Sequence, residues 1–173
     1  DVYKRQVLKD ARIVNVFTEE IIRGDIAIQD GIIAGIGSFH GKEERDLAGR
    51  YVCPGFIDSH LHLESTLVTP AELVTAASRH GTTTFIVDPH ESANVSGLAG
   101  IDYILDQTED VKANVYVMMP SCVPATAIDD NGCTLTAEDM VPYLHNSRIL
   151  GLGEVMDSIS VVQGEKSMHD KLE

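Results

Sequence analysis

Apolar and polar positions alternate with a period of two through the first fifty residues, then recur at about 3.6 in several later stretches, and this change of period divides the chain. Residues 12–17, 25–29 and 32–36 show the alternation of half-buried strands, with turn residues between them. The Asp30-Gly31 step between the last two predicts a type I′ hairpin, whose two central positions both need positive φ. Residues 1–49 therefore read as a small β meander. Residues 1–6 match none of the pattern and read as a cloning or assembly scar.

Beyond the Pro54-Gly55 break, Phe56 and Ile57 form a short apolar strand, and His60 and His62 follow two positions apart. Thr69-Pro70-Ala71-Glu72 has the form of a capping box with proline at the first helical position, and Leu73, Ala76, Ala77 and His80 continue one helix face until Gly81. Residues 82–87 are β-branched or aromatic throughout, which predicts a strand buried on both faces and ending in Asp88-Pro89-His90-Glu91. The alternation repeats. Residues 97–107 have helical spacing, with Ile101, Ile104 and Leu105 as the apolar stripe, and residues 115–119 form a third strand closed by Pro120. Thr136 opens another helix that Pro142 should shorten or kink. Residues 149–153 make a fourth strand with Glu154 at its end, and the polar tail from Gln163 to Glu173 reads as helical. Four strand–helix alternations predict an α/β fold with a parallel sheet and right-handed crossovers. The expected division is a small β domain over residues 1–52 and β/α units over residues 53–173.

Composition narrows the function without naming it. A 173-residue chain that is 43% apolar is long enough for a real core and is not disordered. A net charge of −14 argues against a general binder of nucleic acid or anionic membrane, both of which would repel it. Cys53, Cys122 and Cys133 are odd in number and form no Cys-x-x-Cys pair, so neither a disulfide framework nor a thiolate zinc site is indicated, and a reducing cytoplasm suits them. No apolar run approaches membrane-spanning length.

In a parallel α/β sheet, open or closed into a barrel, chemistry gathers at the carboxyl ends of the strands. The polar residues cluster there. His60 and His62 follow the first strand, Asp88, His90 and Glu91 the second, Ser121 and Cys122 the third, and Glu154 the fourth. Residues at i and i+2 of a strand share a face, so His60 and His62 can grip one divalent ion through neutral imidazole nitrogens, and Glu154 can reach the same ion or bridge two. Asp88, His90 and Glu91 are candidates to orient those ligands or to form an extra metal site; a proline-fixed turn with Asp88 capping the next helix is the competing reading. Ser121 and Cys122 are candidate substrate-binding residues, Cys122 otherwise being a small buried hydrophobe. His40, His80, His145 and His169 lie away from this rim.

Residues 52–62, Val-Cys-Pro-Gly-Phe-Ile-Asp-Ser-His-Leu-His, resemble the first-strand signature of the amidohydrolase superfamily, which also follows a small β domain there. Four further stretches, residues 80–84, 88–95, 120–125 and 151–157, together with His62-Leu63-Glu64-Ser65, resemble more narrowly the bacterial adenine deaminases of that superfamily. The resemblance implies the N-terminal half of an eight-fold (β/α) barrel of TIM type. It implies His60 and His62 as metal ligands and Glu154 as a catalytic carboxylate bridging a binuclear pair of divalent ions, manganese or iron, with zinc as a third option. It implies hydrolytic deamination of adenine to hypoxanthine and ammonia, a small purine as substrate, and a cytoplasmic purine-salvage enzyme that is a homo-oligomer when complete. An eight-fold barrel takes about 250 residues, so a chain of this length holds roughly half of one and is expected to be inactive alone. The competing functions are another amidohydrolase, such as a cyclic-imide hydrolase or amino-sugar deacetylase, and a non-catalytic fragment. Many of the former place a carboxylated lysine where this chain has Glu154. Zinc deaminases of the cytidine type need His-x-Glu with Pro-Cys-x-x-Cys, which this chain lacks in usable order.

Overall fold

The computed structural model describes residues 4–173, which divide into two compact units, residues 4–54 and residues 55–173. In the first, β1 (Lys4–Asn15), β2 (Glu20–Gln29) and β3 (Ile32–Gly37) form an antiparallel meander. Asp30 and Gly31 have φ of 52° and 77°, the two positive values a type I′ turn requires. The meander is only part of the sheet. β4 (Gly41–Asp46) and β5 (Tyr51–Val52) both pair parallel to β1, giving the order β3-β2-β1-β4 with β5 alongside β1. β4 carries Lys42, Glu43, Glu44, Arg45 and Asp46 and so shows no apolar period, although charge is what an edge strand uses against stray pairing. β1 begins at Lys4, so Lys4, Arg5 and Gln6 lie in the sheet although they match no apolar period; Asp1, Val2 and Tyr3 lie outside the described residues. The core of this unit is Ala11, Ile13 and Ile26.

The second unit is built on a four-stranded parallel sheet, β6 (Phe56–Leu61), β7 (Thr82–Val87), β8 (Asn114–Met119) and β9 (Ile149–Leu152), in sequence order. Helices join the strands: α1 (Pro70–Ser78), α2 (His90–Ser96), α3 (Leu98–Gln107) and α4 (Ala137–Met140), with α5 (Ser158–Gln163) and α6 (Lys166–Leu172) after the last strand. The chain is thus α/β with a parallel sheet, as the alternation predicts. Phe85, Val87, Val115, Val117 and Met119 point to the helix layer and pack with Val74, Ile101, Ile104 and Leu105. Residues of opposite parity, Thr84, Ile86, Tyr116 and Met118, are only half-buried, so β7 and β8 are not covered on both faces as their composition predicts.

Two local expectations fail for physical reasons. Thr69 makes no side-chain cap, and α1 starts on the fixed φ of Pro70 alone. The capping box forms instead at Thr136, whose hydroxyl accepts from Asp139 N–H while the Asp139 carboxylate accepts from Thr136 N–H. The stretch after Asp88-Pro89 is the helix α2, with Pro89 before its first residue and no capping by Asp88. Only Ala93 of α2 is buried, so it has no apolar stripe to announce it. Pro142 does shorten the next element: α4 has four residues and passes into one turn of 3-10 helix at Val141–Tyr143.

Candidate metal centre

Strand parity sets the first two ligands. Leu61 and Leu63 turn into the core, Leu63 being 3% exposed, and this leaves His60 and His62 together on the other side. Their Nε2 atoms lie 3.1 Å apart, with the rings nearly perpendicular at 85°. Nδ1 of His62 stands 2.8 Å from the carbonyl oxygen of Asp88. A carbonyl only accepts, so Nδ1 carries the hydrogen, and the Nε2 lone pair of neutral His62 faces His60.

β9 delivers Glu154 opposite them. Its Oε1 is 3.6 Å from His60 Nε2, 3.4 Å from His62 Nε2 and 3.6 Å from His90 Nδ1. His90 opens α2 with its ring centroid 4.6 Å from that of His62, and its Nδ1 is 3.8 Å from Asp88 Oδ1. Among the described residues two groups therefore have ligand atoms within 4.8 Å of one another, His60 with His62 and Glu154, and Asp88 with His90 and Glu154. Glu154 belongs to both.

The donor set fits a divalent cation. Two nitrogens on one tetrahedral ion, each about 2.0 Å from it, stand about 3.3 Å apart, close to the observed His60–His62 separation. Asp88 Oδ1 and His90 Nδ1 are buried and have no hydrogen-bond partner, an expensive arrangement that a cation would relieve. Imidazole and carboxylate donors without thiolate suit zinc, iron or manganese.

Glu154 is held by its backbone. Its N–H donates to Asp88 Oδ2 at 2.9 Å, and its carbonyl accepts from the Ser121 hydroxyl. Asp88 is 1% exposed; burial pushes its carboxyl pKa up, opposed by the Glu154 N–H bond and by His90 and His62. Asp88 comes this close only because residue 153 is glycine, where a Cβ would lie 2.1 Å from Asp88 Oδ2. Ser121 is held in turn by Lys171, whose ammonium donates to the Ser121 carbonyl at 2.9 Å and whose pKa burial lowers.

The sequence candidates are thus sorted. His60, His62, Asp88, His90 and Glu154 converge. Glu91 does not: its carboxylate takes the Ser65 hydroxyl, 2.7 Å from each oxygen, and it belongs to neither ligand group. Ser121 and Cys122 are 1% and 4% exposed; Ser121 is spent on the Glu154 carbonyl, and Cys122 Sγ accepts from Asp157 N–H at 3.3 Å. Both also border a cavity of about 510 Å³ that reaches Lys171, Asp157 and Thr136. Gly153, Lys171, Glu64 and Ser65 also border or brace the site and lie outside the sequence candidates. Gly153 carries a signal, a second glycine two positions after Gly151 and directly before the strand-end carboxylate, and Glu64 and Ser65 lie in the His62-Leu63-Glu64-Ser65 stretch that carries the resemblance.

Imidazoles and carboxylates collected at the carboxyl ends of parallel strands define the class of site that metal-dependent hydrolases use. The chain belongs to the amidohydrolase family, whose model matches residues 51–169. It is 60% identical over 166 residues to the adenine deaminase of Desulfitobacterium hafniense, 50% to that of Clostridium acetobutylicum and 48% to that of Geobacillus kaustophilus. Each alignment covers 96% of this chain and 29% of the relative, so the chain spans less than a third of their length. Among solved structures it resembles an N-acyl-D-glutamate deacylase from Bordetella bronchiseptica, determined with zinc and a phosphonate inhibitor. That match has a TM-score of 0.52 at 20% identity and covers 68% of this chain and 29% of the other.

Proposed function

We propose that this chain is part of a longer adenine deaminase, supplying its small β domain and the first four strands of a (β/α)8 barrel. The observation that carries the reading is Glu154 at 3.4–3.6 Å from the imidazole nitrogens of His60, His62 and His90, in a chain so similar to adenine deaminases. The reaction replaces the exocyclic amino group of adenine by the oxygen of water: a C–O bond forms at the ring carbon, the C–N bond breaks, and ammonia leaves.

His60, His62 and Glu154 would hold a divalent ion, manganese or iron in the first instance. Bound there, such an ion supplies Lewis acidity and a strong nucleophile from water at neutral pH. The remaining steps fall to the chain. His62 keeps its Nε2 lone pair toward the site because Nδ1–H is committed to the Asp88 carbonyl. Glu154 supplies negative charge from the opposite strand end, and Asp88 and Ser121 fix its peptide from either side. His90, half-buried beside Asp88 and Glu154, either orients them or helps to hold a second ion. The complete enzyme is read as a cytoplasmic homo-oligomer acting on a free purine.

The test is substrate profiling of the purified full-length protein loaded with Mn²⁺. Ammonia and hypoxanthine should form from adenine in equal amounts, with no comparable release of product from cyclic imides, N-acetyl amino sugars or N-acyl amino acids. Turnover of one of those amides with adenine untouched would transfer the chain to another branch of the amidohydrolases.

A further inference from the structure

Glu64, Ser65 and Glu91 take no part in either ligand group, yet they sit beside the ligands in sequence and lace their two loops together. After β6 the chain runs His62, Leu63 and then one 3-10 turn, Glu64–Thr66; after β7 it runs Asp88, Pro89 and into α2. The Asp88 N–H donates to the Leu61 carbonyl at 2.9 Å, continuing the sheet by one bond, and His62 Nδ1–H returns to the Asp88 carbonyl. Beyond that point backbone pairing stops and side chains take over. Glu64 Oε1 accepts from Ser92 N–H at 3.0 Å, and the Ser65 hydroxyl donates to the Glu91 carboxylate. The exchange is reciprocal: the first loop gives a carboxylate to an amide of the second, and the second gives a carboxylate to a hydroxyl of the first.

We infer that Glu64–Ser92 and Ser65–Glu91 form a latch that holds His62 and His90 at the spacing metal binding needs. A ligand set works only when its members are held to within about 0.5 Å, and single-stranded loop ends do not hold themselves so well. The latch lies two to three residues past His62 on one side and one to two residues past His90 on the other, so any slip of one loop against the other moves both rings. As an ordinary surface contact the Ser65–Glu91 bond would contribute little to stability, because both residues are exposed. Its effect should appear in metal affinity and not in folding. Glu64, Ser65 and Glu91 are positioning residues in this account, and the inference rests on the metal reading of the site.

The test titrates Mn²⁺ into the metal-free full-length protein, following free and bound ion by electron paramagnetic resonance, with the thermal midpoint of the metal-free protein measured beside it. Ser65→Ala and Glu64→Ala should each weaken Mn²⁺ binding about tenfold and broaden the bound signal, the scale of effect known for groups that orient metal ligands. Ser65→Thr, which keeps the hydroxyl, should bind as the wild type does, and the metal-free midpoint of Ser65→Ala should be nearly unchanged. If Glu64→Ala does not fold, the Ser65 pair decides alone. Wild-type affinity in Ser65→Ala, or loss of affinity that Ser65→Thr does not restore, would overturn the latch while leaving the metal site standing. A wild-type protein that binds no Mn²⁺ would overturn the metal reading and this inference with it.

Discussion

Glycine at position 153 lets a buried carboxylate reach a backbone N–H, and that one contact sets where Glu154 stands. A Cβ there would sit 2.1 Å from Asp88 Oδ2, so the Asp88 side chain would have to swing away and release the Glu154 N–H. An unmade hydrogen bond to a buried charged group costs about 1–3 kcal/mol. Gly153→Ala should therefore lower the unfolding free energy by about that amount and weaken divalent metal binding at the same time, measured by denaturant melts and Mn²⁺ titration. Unchanged stability with unchanged affinity would show that Asp88 does not need this approach. The same residue-level view explains what sequence pattern conveys poorly. His60 and His62 are legible because a two-residue spacing in a strand has one geometric meaning, whereas Ser121 and Glu91 are polar residues at the right rim whose partners, the Glu154 carbonyl and the Ser65 hydroxyl, are distant in sequence.

Elements were legible where local chemistry alone decides them. Asp30-Gly31 takes the two positive φ values its hairpin needs, and Pro142 cuts α4 short. Two threonines with similar signatures behave differently: Thr136 closes a capping box and Thr69 makes no cap. Thr136→Ala should thus cost about 1 kcal/mol of stability, while Thr69→Ala should be close to neutral, a comparison that paired thermal melts settle. β4 and α2 are not legible from pattern, β4 because it is a charged edge strand lying on β1 and α2 because only Ala93 of it is buried. A second element-scale prediction concerns β1, whose pairing with β2 shifts register between Leu8 and Ala11. Asp25 accepts from Lys9 Nζ at 2.6 Å, from Asp10 N–H at 3.1 Å and from Phe39 N–H at 3.2 Å. The Lys9 bond, followed by the two backbone bonds, holds the Asp25 carboxyl below its ordinary range. A depressed folded-state pKa adds stability above the unfolded value, about 3.9, and the gain is lost as pH falls through the folded value. Asp25→Asn should be less stable than wild type at pH 7, with the gap closing as pH falls below about 3.9 in denaturant melts; a gap independent of pH would contradict this.

At the scale of the whole molecule, the second unit presents apolar surface on its outer strands. Phe56 and Ile57 on β6 are 60% and 62% exposed and Leu150 on β9 is 50% exposed, and among the described residues each of these strands pairs on one side only. On the proposed reading, the rest of the enzyme covers them. The isolated 173-residue chain should accordingly self-associate in size-exclusion chromatography and show no enzyme-like turnover of adenine. A monodisperse monomer that deaminates adenine rapidly would refute the half-barrel reading. The central claim is that Glu154 joins His60, His62 and His90 into one working metal centre, and Glu154→Gln in the full-length protein tests it most directly, by metal stoichiometry and adenine turnover on one preparation. The amide preserves shape, and residue 154 is solvent-exposed, so the variant should melt near the wild-type temperature while losing at least one equivalent of metal and most of its rate. Full metal occupancy with unimpaired adenine turnover would remove Glu154 from the centre.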